Sequence, residues 1–273
     1  MSKPEDSPLG KPAAYGDRYD PGLLFSIERA PQRAALGLGD PLPFSGADLW
    51  TAYELSWLDP RGKPEIAIAR FSVPAESPRI VESKSLKLYL NSLSQTPFDS
   101  AAAVARVIAA DLGAAFGAAV PIELVPPREF ARLRVTELEG ESIDDIAIEV
   151  REYAPRADLL GAAGPAVEEM LVSHLFKSNC PVTGQPDWGS VQVRYRGPRI
   201  DRAGLLRYLV SYRGHAGFHE QCVERIFVDL CERCRPGRLS VYARFTRRGG
   251  IDINPFRSNW ETAPRTGVRT ARQ

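Results

Sequence analysis

The sequence predicts an α+β protein made of two tandem units, each an antiparallel sheet with a helix pair on one face. Three observations predict it. Alternating apolar runs come in pairs around turn residues, as in Leu49–Trp57 and Glu65–Val73 on either side of Asp59-Pro60-Arg61-Gly62. Each pair is followed by two stretches of helical periodicity, not by the single crossover helix of a parallel βαβ unit. The same order then recurs, with some of the same residues, about 120 positions later.

The first 45 residues are rich in Gly, Pro and charge and read as an arm, with regular structure expected from residue 46. After the first hairpin, a helix is expected over Ser83–Ser94. A second, capped by Asp99 or Ser100, carries Val104, Val107, Ile108 and Leu112 towards Phe116. Strands over Val120–Leu124 and Ile146–Val150 close the first unit, assigned to 46–155. The second unit, 156–260, has strands over Val167–Phe176 and Val191–Tyr195, helices over Asp201–Tyr212 and Phe218–Cys234, and a strand over Leu239–Phe245. Residues 261–273 form a tail, the last ten reading as frayed.

Identities support a duplication. Pro78-Arg79-Ile80 matches Pro198-Arg199-Ile200; after a one-residue gap Leu86, Tyr89, Leu90 and Ser92 meet Leu205, Tyr208, Leu209 and Ser211, and Phe98 meets Phe218. No Gly-x-Gly-x-x-Gly turn and no Walker-type loop is present, so a nucleotide must be held in another way.

Composition bounds the function. The 273 residues are 44% hydrophobic and 25% charged, and no apolar run approaches the roughly 20 residues of a membrane span. The start lacks a secretory apolar stretch, so a cytoplasmic protein with its four cysteines as free thiols is expected. A net charge of +1 argues against direct nucleic-acid binding. One local bias remains: nine arginines between Arg235 and Gln273 face only Asp252 and Glu261, a balance suited to a phosphorylated ligand or to plain solvated charge.

Chemistry concentrates in Ser178-Asn179-Cys180-Pro181-Val182-Thr183-Gly184-Gln185-Pro186-Asp187-Trp188-Gly189-Ser190. A cysteine among turn residues is expected to be accessible, either inert or nucleophilic according to its thiolate character. The halves differ in a complementary way. Glu82-Ser83-Lys84-Ser85-Leu86-Lys87 in the first faces Asp201-Arg202-Ala203-Gly204 in the second, and His219-Glu220 stands where the first has Asp99-Ser100. A composite site between the halves would combine Cys180 as nucleophile, His219 and Asp187 as proton carriers, and Glu82 or Glu220 against an N–H-rich heterocycle. The plain readings are that His219-Glu220 cap a helix and that Glu82, Lys84 and Lys87 are a charged first turn. His174 reads as a satisfied strand histidine and His215 as a loop residue. Cys222, Cys231 and Cys234 near His219 suggest zinc, but one continuous helix separates Cys222 from Cys231 too far to share a metal, so no metal site is expected.

The blocks Glu82–Tyr89, Ser178–Pro181 with Asp187–Ser190, Phe218–Glu220 and Arg247–Pro255 resemble the signature segments of the NADPH-dependent 7-cyano-7-deazaguanine reductases, the nitrile reductases of the queuosine pathway in tRNA modification. The similarity runs from about Asp40 to Arg257 in the order of the family's long form, with no departure at these positions. The resemblance implies a tunnelling fold of two tandem units and a homodimer. It also implies reduction of the nitrile to 7-aminomethyl-7-deazaguanine by two NADPH through a covalent cysteine thioimide. Carried onto this chain, Cys180 is the nucleophile, Asp187 the proton donor in a shielded setting that raises its pKa, and His219 an aid to proton transfer and substrate binding. Ile80, Val81, Glu82, Ser83, His219 and Glu220 would contact the deazapurine, and Ser83, Lys84, Arg248 and Gly249 the NADPH. Two rivals remain at this stage, a non-catalytic purine- or pterin-binding module of the same fold and a zinc-dependent cyclohydrolase-like hydrolase.

Overall fold

A computed structural model describes residues 6, 16, 18–264 and 269–273. The strands are β1 (Ser26–Glu28), β2 (Ser45–Leu58), β3 (Pro64–Pro74), β4 (Arg79–Val81), β5 (Ile122–Val125), β6 (Glu141–Ser142), β7 (Ala162–Asn179), β8 (Pro186–Ile200), β9 (Arg238–Phe245) and β10 (Ile251–Ser258). The α-helices are α1 (Ala30–Ala35), α2 (Ser83–Ser92), α3 (Ala101–Phe116), α4 (Arg202–Ser211) and α5 (His219–Cys234). The fold is mixed α+β. The ladders β1–β4, β3–β5, β7–β8, β8–β9 and β9–β10 are antiparallel, and the short β6 runs parallel to β7. No helix among the described residues is long and apolar enough to cross a membrane.

The chain divides into two compact units, one of residues 1–32, 48–134 and 247–253, the other of 33–47, 135–246 and 254–273. Strand order is β5-β3-β2-β10 in the first and β10-β9-β8-β7-β6 in the second. In the first unit, α2 and α3 bury Leu86, Tyr89, Leu90 and Leu93 with Val104, Ile108, Leu112 and Phe116 against Trp50, Leu55, Trp57 and Phe71. Spacing by four explains the α3 stripe. Its ends are set by Ser100, whose hydroxyl accepts from the Ala103 N–H at 3.2 Å, and by left-handed Gly117.

Helix α2 begins on a carboxylate. Glu82 accepts the Lys84 N–H at 2.6 Å on one oxygen and the Ser85 N–H at 2.9 Å on the other. In the second unit Asp201 caps α4 in the same way, accepting from the Ala203 N–H at 3.1 Å. Tyrosine then ties each helix pair together. Tyr89 on α2 donates to Asp111 on α3 at 2.5 Å, and Tyr208 on α4 to Asp229 on α5 at 2.5 Å.

The hairpin turns repeat as well. The Leu58 N–H bonds the Thr96 carbonyl, and the Leu58 carbonyl accepts from Phe98. The Asn179 N–H bonds the His215 carbonyl, and the Asn179 carbonyl accepts from Gly217. The next residues, Asp59 and Cys180, each start a Pro-containing turn closed by a left-handed glycine, Gly62 or Gly184.

Several expectations are corrected. Regular structure starts before residue 46: β1 pairs with β4, placing Ser26 opposite Val81, and α1 follows. Ile146–Val150 is not a strand; its alternate residues are half-buried, but it finds no ladder partner among the described residues. The inward phase of β2 changes midway, with Trp50 and Ala52 buried and then Leu55 and Trp57. Strand β10 followed from no periodic signal, because every one of its residues is buried and neither face alternates. Residues 269–273 are not frayed, since Thr270 and Gln273 are buried, while 265–268 of the expected tail lie outside the described residues.

Candidate active site

In the second unit, the expected loop from Ser178 to Ser190 is a strand end, a tight turn and a strand start. Strands β7 and β8 run in register to their tip, with Ser178 opposite Asp187 and Asn179 opposite Pro186. The turn is closed by the Cys180 N–H to the Gln185 carbonyl at 2.8 Å and the Gly184 N–H to the Cys180 carbonyl at 3.0 Å. Asn179 holds it from outside: its main chain bridges His215 and Gly217, and its side-chain amide donates to the Arg213 carbonyl at 3.1 Å. Lys177 reinforces this clamp, donating to Asn179 Oδ1 at 2.7 Å and to the Arg213 carbonyl at 2.8 Å.

The expected accessibility of the thiol is corrected. Cys180 is 6% exposed in a turn that polar composition marks as open, and the residue before it is bonded to the segment at 215–217. Asp187 is 4% exposed on β8, and Trp188 beside it is 39% exposed, with the Arg213 guanidinium 5.5 Å over its ring. The alternation of a strand separates the two.

His219 opens α5, and its Nε2 lies 3.5 Å from Asp187 Oδ2. Its ring stacks on Phe245 with centroids 3.8 Å apart and planes 4° from parallel. Gly189 makes room for this, since a Cβ there would stand 3.2 Å from Phe245 Cδ1. Glu220, the next residue of α5, is buried. Cys222 lies further along the same turn, beside Gly217 and the Ser178 hydroxyl, and burial pushes its thiol up to about 12, so it stays protonated at neutral pH. Burial lowers the His215 imidazole, with Arg225 adding to the effect. His174 is a satisfied strand residue, its Nδ1 2.9 Å from Ser190 Oγ.

In the first unit, Ile80 and Val81 are buried on β4 and lead directly into Glu82, which is itself buried as the cap of α2. The Ser83 hydroxyl lies 3.4 Å from Glu82 Oε1. Gly249 and Gly250, both with positive φ, form the two-residue turn closed by Arg248 and Ile251. A Cβ on Gly249 would stand 3.2 Å from Lys87 Cδ, so this turn and the lysine-bearing face of α2 lie together. Arg247 stacks 5.0 Å over Tyr53, whose hydroxyl donates to Asp252 at 2.6 Å. Lysines, an arginine and a bare glycine backbone are a donor set that suits phosphate oxygens.

The structure thus brings Cys180, Asp187, His219 and Glu220 into one unit, and Ile80–Lys84 with Arg248 and Gly249 into the other. Sequence reasoning named Asn179 within its loop and Phe245 as a strand end but gave neither a role at the site. Among the described residues, no group of three or more His, Cys, Asp or Glu side chains is placed to hold a metal. Helix α5 is unbroken, which sets Cys222 and Cys231 about 13 Å apart along its axis.

Two family models match the chain, "Nitrile reductase, 7-cyano-7-deazaguanine-reductase N-term" over residues 15–124 and "QueF-like protein" over residues 186–264. The NADPH-dependent 7-cyano-7-deazaguanine reductase of Burkholderia multivorans is 58% identical over 272 residues, 99% of each chain. The chain belongs to the 7-cyano-7-deazaguanine reductase family. The reductase of Bordetella pertussis is 60% identical over 269 residues, 98% of each chain, and that of Paraburkholderia phytofirmans 58% over 272 residues. A crystal structure of the archaeosine synthase QueF-Like in the apo form matches 36% of this chain and 97% of its own at a TM-score of 0.32 and 17% identity, a likeness too slight to bear on fold or function. With the reductase relatives, the likeness runs end to end through both units.

Proposed function

We propose that this chain is an NADPH-dependent nitrile reductase that converts 7-cyano-7-deazaguanine to 7-aminomethyl-7-deazaguanine through a thioimide on Cys180. The observation that carries the reading is the conjunction, within one unit, of a buried turn cysteine with a buried aspartate 3.5 Å from a stacked histidine, in a chain of this family. A nitrile accepts hydride poorly. Addition of the Cys180 thiol forms the S–C bond and moves one proton to the nitrile nitrogen, and the resulting thioimide carbon is the better electrophile. Asp187, shielded in the fold, donates that proton, and His219 beside it relays its replacement. Reduction of the thioimide and cleavage of the C–S bond return the thiol and leave an imine, which is reduced in turn to the amine. NADPH supplies the two hydrides, one from each of two molecules. Ser83, Lys84, Arg248 and Gly249 are assigned to hold it, the cations on phosphate and the glycine giving the backbone access. Glu82 and Glu220 take the N–H edge of the deazaguanine, with Ile80, Val81, Ser83 and His219 completing its contacts.

The tunnelling fold is part of the same reading, supported by the recurring order of hairpin, carboxylate-capped helix and second helix. A homodimer acting in the cytoplasm completes it. The test is intact mass after mixing the protein with the nitrile without NADPH. One substrate adduct on Cys180 is expected, and an unmodified wild-type mass would sink the covalent route. Oxidation of NADPH by the same nitrile, set against NADH, checks the cofactor assignment; equal rates would remove the phosphate-reading role of Lys84 and Arg248.

A further inference from the structure

We infer that Gln273 is a positioning residue for His219, acting through Phe245; the inference rests on the catalytic role assigned to His219 above. The segment carrying it is docked at several points of the second unit. The Thr136 N–H bonds the Arg269 carbonyl at 2.9 Å, the Ala271 N–H bonds Glu137 Oε1 at 2.8 Å, and Arg272 donates to the His174 carbonyl at 2.6 Å. Gln273 itself is 5% exposed.

Its amide is saturated and directed. Nε2 donates to the Phe245 carbonyl at 2.8 Å and to Asn254 Oδ1 at 2.7 Å. Oε1 accepts from Arg244 Nε at 2.9 Å, from the Thr270 N–H at 3.1 Å and from the Thr270 hydroxyl at 3.3 Å. Only one orientation of the amide satisfies two acceptors on one side and a guanidinium on the other. Asn254 Oδ1 also accepts the Phe245 N–H at 3.1 Å. Both main-chain polar groups of Phe245 are therefore fixed by side chains at the end of β9. The ring of that residue is the surface on which His219 stacks, and its backbone sits opposite Gly189, two residues from Asp187. Covering β9 would need only an apolar side chain. An amide with every valence used on Phe245 and its neighbours instead sets where the ring stands, and with it the imidazole.

Gln273→Glu separates position from docking. It keeps the acceptors for Arg244 and Thr270, removes both N–H donors and sets an oxygen against two acceptor oxygens. Gln273→Met fills the volume with no hydrogen bond and provides a second variant. The chain has three histidines, so the imidazole proton resonances are resolvable by NMR, with His219→Gln assigning the one of interest. In wild type the Phe245 ring current holds His219 upfield, and both variants are expected to move it downfield. Turnover number should fall about tenfold or more, with KM for the nitrile and NADPH within about twofold, the pattern of lost transition-state geometry. Unmoved His219 resonances in the folded variants would overturn the inference, and so would displaced resonances with unchanged turnover. If wild type fails to reduce the nitrile, the functional reading fails, while the resonances still decide whether Gln273 positions His219.

Discussion

The role proposed for Asp187 asks one side chain both to be buried and to exchange a proton, and His219 Nε2 stands 3.5 Å from its carboxylate. Replacing Asp187 with Ala is expected to abolish adduct formation or lower turnover by roughly 10²–10⁴-fold, the range for a lost general acid, with the circular dichroism spectrum unchanged. Undiminished turnover would remove the assignment. Cys180→Ala should lose the mass adduct completely, whereas Cys222→Ala should keep it, since burial holds the Cys222 thiol protonated. Adduct on Cys222 would reverse the two roles. The candidate residues stood out in the sequence because Cys, Asp, His and Glu in turn and helix-start contexts carry chemical types that packing does not require, and the structure buries Cys180, Asp187 and Glu220 in one unit. Phe245 was not legible, because an aromatic residue in a strand reads as core. Nor was the burial of Cys180, since the turn that holds it has the polar composition of an open loop.

Elements were more legible where periodicity was clean. Helices α2 to α5 follow from spacing and caps, with observed ends within about two residues of the expected ones, whereas β7 and β8 run up to five residues further than expected into the segment read as a loop. Strand β10 and the short β1 were not, the first because both faces are buried and the second because three residues carry no period. Glu82 belongs to this scale, since it caps α2 with both oxygens. Glu82→Ala should lower unfolding free energy by about 1 kcal/mol, as loss of an N-cap does. The same change should raise KM for the deazapurine if Glu82 also grips it. Urea denaturation reads the first effect and steady-state kinetics the second, and a stability loss with an unchanged KM would leave Glu82 as a cap alone. Gly46, at φ +151°, is the tightest backbone contact: a Cβ there would stand 2.0 Å from the Phe256 carbonyl oxygen. Gly46→Ala should therefore destabilise by more than about 2 kcal/mol, measured by the same urea midpoint.

For the molecule as a whole, stability is tied to buried polar groups as well as to apolar packing. Glu224 accepts two bonds from Arg33 and two from Arg257, whose side chain is fully buried. Glu224→Gln, leaving two buried guanidinium groups under-compensated, should cost roughly 3–5 kcal/mol. The tyrosine pairs set an alkaline limit. Burial raises Tyr89, Tyr208 and Tyr212, with Asp111 or Asp229 adding to it, while an unfolded tyrosine ionises near pH 10. The folded state then holds more protons than the unfolded one above that pH. The contribution of these tyrosines to stability is accordingly complete below pH 10 and lost as pH rises beyond it. A urea midpoint that stays level from pH 10 to 11 would contradict this.

The two hairpin turns differ at one decisive atom: where one carries the Cys180 sulfur, the other, braced by the same pattern of main-chain bonds, carries the Asp59 carboxylate. The carboxylate is committed to its own turn, accepting the Arg61 and Lys63 N–H groups at 2.8 and 2.9 Å. If the units descend from one ancestor and Cys180 has the role proposed for it, the doubled gene kept a single copy of its nucleophile and turned the other position into a structural staple. A tight-binding electrophile should then titrate to an endpoint of one equivalent per polypeptide, never two, however symmetrical the scaffold.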